Sequence, residues 1–162
     1  MPLTHLDETG KPGMVDVSDK ETTARVAVAS AKVLLGPEVG KSLAEANYQN
    51  HKGSIFQTAI LAGTMAVKQT WSVIPLCHAI PVSGCKISVE PSEDGTTLHL
   101  RCRVKTMAPT GVEMEALHGV SVAALTIYDM CKALSHDIRI TDVQLETKTG
   151  GKSDFHRSET PS

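Results

Sequence analysis

GCKISVEPSEDGTTLHLRCRVKT, Gly84 to Thr106, carries the clearest structural signal in the chain. Gly84–Glu90 and Thr97–Thr106 alternate apolar and polar side chains with period two, and the PSEDGT between them supplies a turn through Asp94 and Gly95. The pattern predicts an antiparallel hairpin. Leu98, Leu100, Cys102 and Val104 then face a core, and His99, Arg101, Arg103 and Lys105 take the opposite face, which is either wet or pressed against another subunit.

Before the hairpin, IPLCHAIP (Ile74–Pro81) has a proline near each end, which predicts an extended loop holding Cys77 and His78 from both sides. A helix is expected from about Ser54 to Trp71, where Ile55, Ala59, Ala62, Ala66 and Val67 keep helical spacing. A shorter one is expected over Val39–Asn47, ended by the HKG at His51–Gly53. RVAVASAKVLL, Arg25–Leu35, alternates as a strand with Ala27, Ala29, Ala31, Val33 and Leu35 on one face, although SDKE at Ser18–Glu21 would equally cap a helix. After the hairpin, Gly111–Leu134 is apolar on nearly every side, the pattern of a covered helix, and Ile140–Lys148 reads as a last strand. The order strand, helix, strand, strand, helix, strand predicts an α+β fold, a ferredoxin-like sandwich with a four-stranded antiparallel sheet and helices packed on one face.

A chain of 162 residues fits one domain spanning 1–162, with flexible tails expected at about 1–13 and 154–162, where Gly, Pro, Ser and charge dominate. The net charge of −2 gives no global attraction to nucleic acid or anionic lipid, so phosphate chemistry must use a local basic cluster. No run of 18 apolar residues is present, and the opening MPLTHLDETGKPG lacks a secretory pattern, so a cytoplasmic protein is expected. Cys77, Cys85, Cys102 and Cys131 form no CxxC pair, which argues for reduced thiols rather than a zinc or redox motif. An RNA-binding sheet would need aromatic side chains on its strands, and Tyr48, Phe56, Trp71, Tyr128 and Phe155 all lie off the expected ones.

The covered helix nevertheless holds charges. Glu115, His118, Val122, Leu125, Asp129 and Lys132 fall in one stripe about 100° wide. Each charge has an ordinary reading: Thr110 and Glu113 as a capping box, Glu115 as a complement to the helix dipole, Asp129 and Lys132 as a surface pair. The apolar neighbours Ile127, Tyr128, Met130, Cys131 and Leu134 weigh against a wet face, so paired charges with displaced pKa values suited to proton transfer remain the alternative. Lys52 precedes a helix start, where an anion would meet backbone donors, and is otherwise a solvated loop lysine. His78 is either presented to a ligand or hydrogen-bonded to nearby backbone. Lys148 and Lys152 sit in TKTGGKS, which lacks the full Walker pattern.

HKGSIFQTAILAGTMAVKQTWSVIPLCH, TGVEMEALHGVSVAALTIYDMCKAL, KTGGKS and MVDVSDKETTAR closely resemble the cyclic pyranopterin monophosphate synthases, the C proteins of molybdenum cofactor biosynthesis. The similarity runs from about Met14 to Ser153. It implies a lyase whose substrate is 3',8-cyclo-7,8-dihydroguanosine 5'-triphosphate and whose products are cyclic pyranopterin monophosphate and diphosphate. Carried over by position, Asp129, Lys132, Lys52 and His78 would be catalytic, with Glu115 serving the reaction or the pterin. Leu76, Cys77, His78, Glu113, Met114 and Glu115 would line the base pocket. Arg25, Lys148 and Lys152 would hold the triphosphate, reaching in from a neighbouring subunit. The family also implies a homohexamer built as a trimer of dimers, with no nucleic acid or membrane partner. No cofactor and no dedicated metal site are expected, although magnesium could accompany the triphosphate. Repulsion among Lys52, Lys132 and Arg25 would lower a lysine pKa and make a neutral amine available.

Overall fold

The computed structural model describes residues 9–158. Its elements run β1 (Thr23–Leu34), α1 (Pro37–Glu45), β2 (Gln49–Asn50), β3 (Gly53–Ser54), α2 (Ile55–Lys68), α3 (Thr70–Val73), β4 (Gly84–Pro91), β5 (Thr97–Ala108), α4 (Glu113–Cys131), β6 (Arg139–Thr149) and β7 (Phe155–His156). The hairpin is present as β4 and β5, with Gly84 opposite Lys105 and Pro91 opposite Leu98. At its tip Asp94 Oδ1 accepts from Ser92 Oγ at 2.6 Å and from the Thr96 amide at 3.0 Å, while Gly95 takes φ 69°. The alternation holds in three dimensions. Leu98, Leu100, Cys102 and Val104 are buried, and His99, Arg101, Arg103 and Lys105 are exposed.

β1 lies between β5 and β6, antiparallel to both, and buries Ala27, Ala29, Ala31, Val33 and, just beyond its end, Leu35. The strand reading of RVAVASAKVLL therefore prevails, and Ser18–Glu21 caps no helix. The sheet has five strands in the order β4-β5-β1-β6-β7, not the four expected. The fifth is β7, which pairs Phe155 with Lys148 and His156 with Thr147 inside the span expected to be a tail. Arg157 adds to it by donating from its backbone amide to Glu146 O and from Nε to Leu145 O. Of the expected tails, 1–8 and 159–162 lie outside the described residues.

Two helices cover one face of this sheet. α2 packs on α4, α4 on β1, β5 and β6, and α2 on β4. Their crossing is close because it is made at glycine: a Cβ at Gly119 would lie 2.5 Å from Val67 Cγ2 and 2.9 Å from Cys102 Sγ, and one at Gly63 would lie 2.7 Å from Gly119 O. The helix expected over Ser54–Trp71 is divided at Gln69 into α2 and α3, and Ser54 caps α2 by accepting from the Gln57 amide. Ile74–Pro81 has no regular structure, as its prolines predict. All four cysteines are unpaired thiols, Cys102 and Cys131 buried. No helix of the described residues is long and apolar enough to cross a membrane.

Candidate active site

α4 organises the charged residues, but it separates them. At its N-terminal end Leu76, Cys77, His78, Glu113, Met114 and Glu115 line one cavity of about 430 Å³, together with Val15, Val17 and Lys20. Glu113 and Gly111 continue into a second hollow of about 210 Å³ lined by Arg25, Lys148 and Lys152. Lys52, Asp129 and Lys132 meet at the opposite end. Asp129 is fourteen residues beyond Glu115 on α4, about 21 Å along the axis at 1.5 Å per residue. Within one chain the expected site residues thus form two groups.

In the cavity the Pro-bracketed loop presents His78, whose Nε2 donates to Val15 O at 2.7 Å. A carbonyl accepts only, so this nitrogen carries a proton, and whenever the ring is neutral the lone pair is on Nδ1. Glu115 is 4% exposed, and burial, reinforced by the charge of Glu113, pushes its carboxyl pKa up. Burial raises the Cys77 thiol too, with Glu115 adding to it. Glu113 does not close a capping box with Thr110: the residue before α4 is Val112, and no side chain caps the helix. Glu113 Oε1 instead lies 3.2 Å from Lys148 Nζ, an ion pair between two residues lining the second hollow.

That hollow is built by strands. Lys148 belongs to β6, opposite Ala27 of β1 and Phe155 of β7. Arg25 spends Nε on Ala108 O at 3.0 Å and Nη2 on Pro109 O at 2.9 Å, while Nη1 faces Gly151. After β6 the chain turns at Gly150, where φ is +87° and a Cβ would lie 2.0 Å from Ala24 O; only glycine fits.

At the far end Asp129 receives Lys132 Nζ at 2.7 Å on Oδ1 and Lys52 Nζ at 3.5 Å on Oδ2. The three side chains are about half exposed, contrary to the dry surroundings suggested by their apolar neighbours. The hydrogen bond from Lys132, its charge and that of Lys52 hold the Asp129 carboxyl below the usual aspartate range. The same bond raises the Lys132 ammonium. The expected lowering by like charges does not occur at Lys132, because a carboxylate lies between it and Lys52, and Arg25 lies by the other hollow. Lys52 stands on the tight turn between β2 and β3, two short strands that sequence periodicity is too brief to reveal. His118 of the stripe has its Nδ1 3.1 Å from Thr70 Oγ1 and lines neither hollow. Lys20, Val15 and Val17 are cavity residues that the sequence reading did not assign, although they lie in the quoted MVDVSDK.

The family model described as MoaC matches residues 14–151. The chain belongs to the MoaC family. Among its MoaC relatives, proteins named cyclic pyranopterin monophosphate synthase are 51% identical over 153 residues in Xanthomonas campestris pv. campestris (strain B100), covering 94% of this chain and 92% of the relative. One from Brevibacillus brevis is 49% identical over 158 residues, covering 97% of each, and one from Helicobacter pylori (strain Shi470) is 48% identical over 153 residues, covering 94% and 96%. The matched MoaC region contains the whole of α4 and, except for Lys152 just beyond it, both charged groups.

Proposed function

We propose that this chain converts 3',8-cyclo-7,8-dihydroguanosine 5'-triphosphate to cyclic pyranopterin monophosphate and diphosphate in molybdenum cofactor biosynthesis, as a phosphorus-oxygen lyase of the cytoplasm. The observation that carries the reading is the pairing of MoaC membership with two charged half-sites on one helix. Arg25, Lys148 and Lys152 offer cations to a triphosphate, while Leu76, Cys77, His78, Met114 and Glu115 form a hollow of suitable size for a base. Glu113, paired with Lys148, joins the two. No metal or cofactor is assigned to the site.

Ring rearrangement needs proton donors and acceptors held in place. Glu115, whose carboxyl burial makes a weaker acid than usual, is suited to hold and pass on a proton; His78 offers its Nδ1 lone pair; Lys132 and Lys52 donate as ammonium groups, with Asp129 orienting both. Closing the cyclic phosphate expels diphosphate, and cations neutralise the charge that builds on it.

One chain cannot bring both half-sites to a small ligand, because a straight helix holds them about 21 Å apart. A homo-oligomer in which one copy supplies Lys52, Asp129 and Lys132 and another supplies the cavity resolves this, in a different partition from the one expected. A hexamer made of three dimers is consistent with that division. The four long strands in the order β4-β5-β1-β6, with α2 and α4 on one face, support a ferredoxin-like sandwich extended by β7. The uncovered face, with Lys32, His99, Arg101 and Glu146 around a hollow of about 450 Å³, is available to a second copy.

Purified protein mixed with the cyclised nucleotide should release diphosphate and yield the cyclic monophosphate by mass spectrometry. Unchanged substrate after prolonged incubation would overturn the reading.

A further inference from the structure

Lys52 reaches Asp129 from a two-residue turn on a two-residue ladder, a small support for a group that must hold its place. The turn is tied down by Asn50. Its side-chain carbonyl accepts from the Lys52 amide at 2.8 Å, and its Nδ2 donates to Met130 O at 3.0 Å. The first bond closes a local turn of the kind asparagine favours. The second satisfies one of the carbonyls left without an intrahelical partner at the end of α4, where Tyr128 O and Cys131 O are taken by the Lys132 and Leu134 amides. A single planar amide therefore joins the backbone of Lys52 to the residue directly after Asp129.

We propose that Asn50 is a positioning residue, its amide fixing the turn that carries Lys52 against the last turn of α4 so that the Lys52 ammonium meets Asp129. The proposal rests on the function given above, and it concerns geometry that is testable without substrate. The hairpin has other anchors: Tyr48 stacks on Phe56 with ring centroids 4.4 Å apart, the Tyr48 amide bonds Leu43 O, and the Ile55 amide bonds Tyr48 O. Loss of the Asn50 amide leaves those in place, so the turn loosens while the fold persists.

Three variants separate the roles. Asn50→Ala loses both bonds, whereas Asn50→Asp keeps the acceptor for the Lys52 amide and replaces the donor to Met130 O with a second acceptor. Both should lower kcat by about 10- to 100-fold with KM little changed, as misplacement of a reacting group does. In a Lys52→Ala background, Asn50→Ala should cost nothing further, because a residue acting through Lys52 has nothing left to position. Independently of activity, the Lys52 amide proton followed by NMR should exchange with solvent about tenfold faster in Asn50→Ala than in the unaltered protein. Full kcat in Asn50→Asp, an equal loss with and without Lys52, or unchanged exchange of the Lys52 amide would each overturn the proposal. If the unaltered protein releases no diphosphate while the exchange result holds, the function is wrong and the tether stands.

Discussion

At the N-terminal end of α4, Glu115 is sealed beneath a cavity and burial raises its pKa; at the other end, Asp129 stands half in solvent between two lysines that lower its own. Two carboxylates on one helix are thereby set to opposite tasks, one holding a proton near neutrality more readily than usual and one holding a charge. Residue type did not decide this. Enclosure by the cavity walls did at one end, and Lys132, helped by Lys52 from the β2–β3 turn, did at the other.

The sharpest way to break the comparison is to remove the exposed group. Lys132→Ala or Asp129→Ala should cut diphosphate release by about 10² to 10⁴-fold with an unchanged circular dichroism spectrum, the usual contribution of a positioned acid or base. Retained turnover in both would confine the chemistry to the cavity end.

Whether the two ends work together across copies is open to a mixing test. Lys132→Ala chains and Lys148→Ala chains, each inactive alone, should on co-expression regain about a quarter of full activity, since half of randomly formed two-fold dimers hold one intact site of two. A mixture no more active than its parents would mean that each copy uses its own two ends.

Between the ends, α4 is held against α2 and the sheet at Gly119. Gly119→Ala forces a methyl onto Val67 and Cys102, and should lower stability by about 1 to 3 kcal/mol in denaturant unfolding. An unaffected midpoint would show that the crossing can open without cost.

The smallest effects separate the ends by sign. Glu115 has a folded pKa above its ordinary 4.5, so its contribution to stability is complete below that pH and is lost as pH rises through the folded value. Asp129 has a folded pKa below 3.8, so its contribution is present above that pH and is lost as pH falls through the folded value. Glu115→Gln should therefore melt higher than the unaltered protein at about pH 8 and no higher at about pH 4. Asp129→Asn should melt slightly lower near neutrality, with the gap closing below pH 3.8 and shrinking in salt. Parallel pH profiles for the two variants would erase the distinction.

Much of the fold could be read directly. Alternation in Arg25–Leu35 and Gly84–Thr106 records which side chains face the core, and the apolar surround of Gly111–Leu134 records a covered helix, because burial acts on each residue through its own local period. β2, β3 and β7 escaped notice because two residues cannot establish a period, and their pairing partners supply the reason they are strands at all. The capping box at Thr110 and Glu113 had the right spacing, yet the helix starts after Val112 and Glu113 pairs with Lys148 of β6. The order of residues carries the identities of the charged groups, the faces they share and the resemblance that groups them. Their distances come from packing alone. Packing through Gly63 and Gly119 sets where α4 lies, its length separates its ends, and side chains distant in sequence find their partners only after both are fixed.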